Sequence, residues 1–261
     1  MKFIVIISLF LFSSISGACQ EPIRILYSPV FSVSFYKEYI FKFTENIERL
    51  TKCKVAYVLA PTYEAYFKAL AMGEAHMSFI PSHYEYALTR YGYERILRGA
   101  DGEKNILIAK KKSLLSNDMA QLKGMEILAP GVYTEAYLLL IDWLNKSKIL
   151  GDVNITMERS HDILAMKLVR EHASAGVLST SIFKRLPKSI QDSFYVMKES
   201  SDLYALLMVE HNLSKASREA IKKSSPLIFH GKWYESLHAS KPTKNAMRLH
   251  EQFKKVIGKQ E

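Results

Sequence analysis

Hydroxyl, phenol and imidazole side chains recur in the sequence where a strand-like apolar run gives way to a helical pattern. Those that could contact a ligand are Tyr27, Ser28, Tyr63, Ser82, Tyr84, Tyr133, Thr134 and His161. The first turn of a helix has free N–H groups and a positive dipole end, which together suit an anionic or polar ligand. Ser and Thr also cap helices in the absence of any ligand, and for a single hydroxyl capping suffices. Capping accounts less well for the tyrosines and the histidine, so the pattern predicts a binding site.

Motifs for catalysis or cofactor binding are missing from the sequence. It contains no Gly-x-Gly-x-x-Gly turn, no phosphate loop ending in Gly-Lys-Ser/Thr and no Gly-x-Ser-x-Gly nucleophile turn. The eight histidines include no His-Glu-x-x-His pair, and His161-Asp162 is too sparse to specify a metal. We therefore predict no catalytic residue, no cofactor and no metal site, and we expect a protein that is not an enzyme.

Residues 1–19 have the features of a secretory signal peptide. Lys2 gives a basic start, residues 4–12 are apolar, and small residues follow as far as Ala18. The apolar run is shorter than the roughly 20 residues that span a bilayer, although an uncleaved anchor helix is an alternative. We expect an exported chain that works in the periplasm or on the outer face of a membrane.

The charge of the chain is strongly basic. Lys and Arg number 36 against 26 acidic residues, which gives a net charge of +10. These residues are scattered, and the short run at residues 110–112 is isolated, whereas nucleic-acid-binding proteins usually concentrate them on one element or alternate them with aromatics. The charge therefore indicates a solvated surface, is compatible with an anionic small ligand, and speaks against a nucleic-acid partner.

Two cysteines, Cys19 and Cys53, leave two possibilities open. Residues 16–19 resemble a bacterial lipoprotein cleavage site, except that Ser16 stands where such sites usually have Leu. Cys19 would then carry a lipid anchor. Alternatively, an oxidising compartment allows a disulfide between Cys19 and Cys53. The disulfide requires that the strands after the two cysteines be parallel neighbours that start at the same edge of a sheet, so that the Cα atoms come within about 7 Å.

Strand-like and helical patterns alternate in two successive sets, the first from Ile23 and the second from Ile106. Such alternation predicts an α/β protein with two open, mainly parallel sheets and helices on both faces. No Pro/Gly/Ser-rich linker separates the two sets. We therefore expect the chain to cross between two lobes on strands, near residues 106–110 and 196–207.

The lobe boundaries follow from these crossings. Lobe 1 would comprise residues 20–105 plus 205–261, and lobe 2 would comprise residues 106–204. Two crossing strands form a hinge, and a hinge between two such sheets creates a cleft. One continuous doubly wound domain is the alternative.

Three segments resemble the phosphate/phosphonate-binding proteins of ABC importers. Residues 62–81 have that family's order of a Tyr, an apolar helix, a Gly, an acid and a strand that leads to a helix start. Residues 122–127, Leu-Lys-Gly-Met-Glu-Ile, are similar to its DLKGK segment. Residues 160–162, Ser-His-Asp, followed by residues 174–177, Ser-Ala-Gly-Val, are similar to a later stretch of the family.

The resemblance implies a two-lobed periplasmic-binding-protein fold of the second type, with a small ligand trapped between the lobes. It also implies a solute-binding protein, expected to be a monomer, that delivers a phosphate- or phosphonate-like ligand to an ABC permease. A binding protein of the same fold that signals to a membrane sensor is the alternative. The family's phosphonate loop is Pro followed by Ser-Thr-Ser-Gly, whereas residues 130–135 here are Pro-Gly-Val-Tyr-Thr-Glu. Glu135 is expected to repel a phosphonate.

Within such a cleft, the ligand would contact Tyr63, Tyr84, Thr134 and His161, with Tyr27 and Ser28 in support. We expect Tyr63 and His161 to lie away from the apolar core, so that their replacement would spare folding. A protonated His161 donates more hydrogen bonds than a neutral one, which predicts stronger anion binding at mildly acid pH.

Overall fold

The computed structural model of the protein describes residues 21–29, 40–113, 115–170, 172–200, 204–227, 233–235 and 244–257. Its strands are β1 Ile23–Tyr27, β2 Val55–Leu59, β3 Met77–Pro81, β4 Glu94–Glu103, β5 Asn105–Lys110, β6 Glu126–Pro130, β7 Asn154–Glu158, β8 Ala175–Ser179, β9 Phe194–Glu199, β10 Tyr204–Glu210 and β11 Trp233–Glu235. Its α-helices are α1 Phe41–Thr51, α2 Tyr63–Ala71, α3 Glu85–Thr89, α4 Glu135–Lys146, α5 His161–Val169, α6 Thr180–Lys184, α7 Lys188–Gln191, α8 Lys215–Ser224 and α9 Lys244–Ile257. The signal peptide predicted at residues 1–19, and with it Cys19, lies outside the described residues.

The strands form two sheets, as the sequence predicts. A six-stranded sheet has the order β11-β4-β10-β3-β1-β2, and a five-stranded sheet has the order β7-β6-β8-β5-β9. The chain passes from the first sheet to the second at Lys104, between β4 and β5. It returns between β9, which ends at Glu199, and β10, which starts at Tyr204.

Both sheets are mixed and not mainly parallel as expected, because parallel pairing is confined to part of each. Strands β1, β2 and β3 are parallel neighbours in the first sheet, and β6, β7 and β8 in the second. Strands β5 and β10 pair antiparallel with their neighbours. The reason lies in the crossings: β5 and β10 each enter a sheet from the other one, so they run away from the crossing while the parallel strands run towards it.

This direction of the strands places the carboxyl ends of both parallel sets at the crossing edge of their sheets. Ser28 and Ser82 follow β1 and β3 in the first sheet. Gly131, Ser160 and Thr180 follow the strands, or the short turns after them, in the second sheet. The two edges therefore face each other, and ligands of open α/β sheets bind beyond such carboxyl ends.

Buried side chains form a core beneath each sheet and a larger cluster that includes residues of both. Ile25, Phe43 and Met77 belong to the core of the first sheet, while Ile108 and Leu164 belong to a core of the second. The largest cluster joins residues of the first sheet and its helices to residues of the second: Leu26, Tyr66, Phe67, Leu107, Ile127 and Leu139. The two halves of the molecule thus share apolar contacts at their facing edges.

Cys53 is buried and disulfide-bonded. The chain has one other cysteine, Cys19. Strands β1 and β2 are parallel neighbours that start together, with Ile23 opposite Val55. The two strands thus have the neighbouring, parallel arrangement that the disulfide hypothesis requires.

None of the helices within the described ranges combines the length and the apolarity that crossing a membrane requires.

Candidate functional site

Tyrosines from the two sheets meet where the carboxyl edges face each other. The Tyr84 hydroxyl, in the turn after β3, donates a hydrogen bond to the backbone oxygen of Tyr133, which follows β6, at 3.0 Å. Tyr63, the first residue of α2, lies against Gly131, whose missing Cβ would stand 3.6 Å from the Tyr63 ring. Three of the tyrosines that the sequence singles out are therefore brought together although they are up to 70 residues apart (133 − 63).

His83 was not among the candidate residues, yet it makes the same contact as Tyr84. Its Nε2 lies 3.1 Å from the Tyr133 backbone oxygen. Burial lowers the pKa of His83 to about 4, so the ring is neutral at neutral pH and Nε2 donates this hydrogen bond. The sequence signal was present, since His83 stands in the same Ser82-His83-Tyr84 turn, but nothing local distinguishes it from a histidine that only packs.

Thr134 and Glu135 begin α4 at the edge of the second sheet. The Thr134 hydroxyl accepts a hydrogen bond from the Tyr137 N–H and donates to the backbone oxygens of Pro130 and Gly131, which are alternative acceptors. This is a helix N-cap, so capping accounts for this hydroxyl. Glu135 is buried in the first turn of α4. Glu135 therefore lies at the helix start where the sequence predicts repulsion of a phosphonate.

His161 begins α5 and is held by the strand beside it. Its Nδ1 accepts a hydrogen bond from the backbone N–H of Ser179, at the end of β8, at 3.2 Å. The other ring nitrogen, Nε2, then carries the proton of the neutral ring. Burial lowers the pKa of His161 to about 4. The expectation that mildly acid pH charges this residue is therefore wrong, because the desolvated ring stays neutral until the pH approaches 4.

The position of Tyr63 contradicts the expectation that this residue lies away from the apolar core. It is buried and belongs to the largest apolar cluster, instead of lying away from the core. His161 is buried as well. Replacing either by Ala would therefore disturb packing, since removing a buried ring leaves a cavity.

The remaining candidates lie in different surroundings. Tyr27 stacks on Tyr57 and Phe79, with ring centroids 5.6 Å and 6.4 Å away, within the core of the first sheet. Ser28 is buried beside it in the chain, and Ser82 is half-buried. The structure does not bring the Tyr27 ring into the cluster that contains Tyr63, Tyr84 and Tyr133.

Phe253 of α9 is a member of the site that the sequence did not indicate. Its ring is fully buried and stacks on the Tyr84 ring, with centroids 5.0 Å apart. The Tyr133 ring lies 5.8 Å away, on the side of the second sheet. An amphipathic helix at the end of the chain indicates that one face is buried, but it carries no signal of which surface covers that face.

The electrostatics of this region are set by burial. The pKa of Tyr84 is raised well above its usual value because the phenol is desolvated, with smaller contributions from neighbouring phenols. Burial also raises the pKa of Tyr133. The phenols and the two histidines are thus neutral hydrogen-bonding groups at neutral pH. Among the described residues, no group of three His, Cys, Asp or Glu side chains could hold a metal ion.

Comparison with solved structures finds the same fold in solute-binding proteins. PhnD1 from Prochlorococcus marinus, in complex with methylphosphonate, matches with a TM-score of 0.74 and 11% identity over 90% of this chain and 99% of that chain. A binding protein component of an ABC phosphonate transporter from Pseudomonas aeruginosa matches with a TM-score of 0.66 and 14% identity, over 93% and 98% of the two chains. A Xanthomonas citri protein bound to ATP matches with a TM-score of 0.69 and 13% identity, over 91% and 98%.

These likenesses establish the two-sheet fold of type 2 periplasmic binding proteins. A comparison with curated protein sequences finds no significant match. The family model described as the phosphonate periplasmic substrate-binding protein of ABC transporters matches residues 25–224, well over half of the 261-residue chain. The match includes the strands and helix starts that bring the two edges together. The chain belongs to this family of periplasmic substrate-binding proteins of ABC transporters.

Proposed function

We propose that this protein captures a small polar solute with an anionic group between its two sheets and delivers it to an ABC permease, without chemical change to the solute. The contact between Tyr84 and Tyr133 carries the proposal, because it joins the two carboxyl edges where open α/β sheets bind their ligands. The lobes would be residues 20–105 plus 205–261 and residues 106–204. The family match to a transporter component favours this role over that of a membrane sensor's binding partner.

The chemistry of the edges supports a ligand that accepts hydrogen bonds. Neutral phenols and the Nε2–H of His161 are donors at neutral pH. The first turns of α4 and α5 add backbone N–H groups and the positive ends of two helix dipoles. A methylphosphonate ligand is bound by the Prochlorococcus marinus relative, whereas the Xanthomonas citri relative binds ATP. The shared feature of these two ligands is a phosphorus oxyanion, which is the ligand class we propose.

Isothermal titration calorimetry with methylphosphonate and with inorganic phosphate tests the proposal. Tyr63→Phe removes one hydroxyl and keeps the ring. His161→Asn keeps an acceptor for the Ser179 N–H and removes the Nε2–H donor. We expect each change to weaken binding by about 1–3 kcal/mol, because a buried ligand oxygen loses its donor.

Tyr93→Phe is the matched control for these variants. Its hydroxyl donates to the Ala75 backbone oxygen at 2.8 Å, within the first sheet, so its loss should lower stability and leave affinity unchanged. Wild-type affinity in both site variants, combined with lower melting temperatures, would show that Tyr63 and His161 serve packing alone. Native mass spectrometry of protein purified without refolding would identify a solute of another class, should neither probe bind.

A further inference from the structure

The C-terminal helix α9 contacts both halves of the molecule. It packs on the turn formed by residues 82–84, which belongs to the first sheet, and on α4, which belongs to the second. Its residues Leu249, His250 and Phe253 are buried. A helix at the end of the chain therefore bridges the two facing edges.

Phe253 makes the bridge at the carboxyl-terminal half of α9. On the first-sheet side, its ring lies 5.1 Å from the Phe67 ring and 5.5 Å from the His83 ring, both in edge-to-face geometry, and it stacks on Tyr84. On the second-sheet side, it meets Tyr133 at 5.8 Å, again edge to face. Aromatic pairs at these distances attract each other beyond the effect of burial alone.

Arg248 makes a second bridge, nearer the start of α9. Its guanidinium lies 2.7 Å from the carboxylate of Asp142, on α4. Burial alone would raise the pKa of Asp142, but hydrogen bonds from Lys146 and Arg248 outweigh it and hold that pKa below its usual value. The carboxylate is thus ionised, and it ties α9 to the second sheet at one end while Phe253 ties it to both sheets at the other.

We propose that α9 is an intramolecular latch that holds the two halves closed in the absence of a ligand. In the chain, α9 follows β11, which pairs with β4 of the first sheet. If the halves separate, α9 cannot keep its contacts to both, and movement with the first half breaks those to Tyr133 and Asp142. Separation would also expose the Phe253 ring to water, so the helix disfavours the open state.

The latch lies at the gap through which we expect the ligand to enter. Phe253 contacts both Tyr84 and Tyr133, which are candidate ligand contacts from opposite sheets. Their direct hydrogen bond at 3.0 Å closes the same gap. A solute therefore reaches the site only in the minor open state, and its apparent affinity is reduced by the fraction of molecules that are closed. Weakening α9 should raise the open fraction.

Small-angle X-ray scattering of the ligand-free, full-length protein tests the latch. Phe253→Ala removes the aromatic bridge, and Arg248→Gln removes the ionic one. Glu251→Gln is the matched control, since Glu251 is exposed on the same helix and pairs only with Lys254 among the described residues. We expect the wild type and Glu251→Gln to have the radius of gyration of the closed structure, and both latch variants to have a larger one.

Two results of this scattering experiment would overturn the latch: an extended wild type, or latch variants with the wild-type radius of gyration. If Phe253→Ala loses its cooperative thermal transition, Arg248→Gln alone decides, because its side chain is partly exposed and its loss leaves the aromatic cluster intact. No ligand is present in these measurements. Failure of methylphosphonate to bind would therefore count against the proposed function and leave the latch standing.

Discussion

Glu135 places a carboxyl group at a helix start that otherwise suits an anion. It is buried in the first turn of α4, in the segment that replaces the family's hydroxyl-rich loop. A carboxylate there is favourable for the helix dipole, worth about 0.3–1 kcal/mol, but it repels an oxyanion bound to the same turn. His83 and His161 stay neutral at neutral pH, so they add no positive charge that would attract the oxyanion.

Replacement of Glu135 by Gln should therefore strengthen the binding of methylphosphonate by about tenfold, which corresponds to about 1.4 kcal/mol. The melting temperature should fall slightly, since the helix dipole loses its anion. Calorimetric titration measures the first effect and calorimetric unfolding the second. Asp162→Asn is the control: Asp162 lies in the first turn of α5 but is only half-buried and pairs with Arg185, so solvent screens its charge. Equal or weaker binding by Glu135→Gln would show that the carboxylate assists the ligand.

At the scale of residues, the sequence predicts which residue types lie at the site better than it predicts how deeply each of them is buried. The turns with Tyr63, Tyr84 and Tyr133 were recognised because strand and helix patterns locate turns locally. The sequence does not show the burial of Tyr63 in the shared cluster, because this burial depends on the second sheet, whose relative position no local pattern encodes. The lowered pKa of His161 is hidden for the same reason, since desolvation comes from long-range packing.

At the scale of elements, Gly176 fixes how closely α5 approaches β8. A Cβ on Gly176 would stand 3.0 Å from a methyl carbon of Leu164 and 3.0 Å from one of Leu168, both on α5. Those side chains are fully buried, so they or the helix must give way by a few tenths of an ångström. Gly176 belongs to one of the segments that resemble the family, and close packing is a physical reason for a glycine there.

We expect Gly176→Ala to lower the free energy of unfolding by about 1–3 kcal/mol, as overpacking typically does. Urea denaturation measures this change. Gly151→Ala is the matched control, because a Cβ at Gly151 meets no atom within 4 Å. Equal stability of the two variants would mean that α5 adjusts freely on the sheet.

Cys53 lies just before β2, and its disulfide makes the stability of the protein depend on redox conditions. It is disulfide-bonded, and Cys19 is the one other cysteine of the chain. If Cys19 is its partner, that thiol cannot carry a lipid, and we then expect a mature chain without a lipid anchor. Intact mass and alkylation should show no lipid and no free thiol until a reductant is added. Reduction should cost about 2–4 kcal/mol of stability. A lipid mass together with one alkylatable thiol would restore the lipoprotein hypothesis.

The start of β1 at Ile23 agrees with the sequence prediction, because short apolar runs between turn residues mark strands. The direction of β5 and β10 did not follow from such runs. Parallel and antiparallel strands have the same alternation, and only the path of the chain between the sheets sets their direction. The position of α9 likewise cannot be predicted from the sequence, since an amphipathic pattern indicates that one face of a helix is buried but not which surface covers it.

For the whole molecule, closure makes buried histidines a determinant of stability. His83 lies at the first edge and His161 at the second, and both are buried with pKa values lowered to about 4. Burial also lowers the pKa of His76 and of His250. In the unfolded chain these rings regain their ordinary pKa of 6.5. Between about pH 6.5 and 4 the unfolded state thus binds more protons than the folded state, so stability falls as the pH decreases.

At pH 5 the loss should be about 2 kcal/mol for each of His83 and His161, relative to pH 7. Urea denaturation at pH 7, 6 and 5 measures it, above the range in which most carboxylates titrate. His83 and His161 together make the free energy of unfolding depend on pH, and His83→Gln should remove about half of this effect, because Gln cannot be protonated. A variant that opens the latch, such as Phe253→Ala, should also make the free energy of unfolding less dependent on pH, since an open edge lets water reach the His83 ring. Constant stability from pH 7 to pH 5 would mean that the folded protein already protonates these histidines, and hence that the edges do not close as tightly in solution.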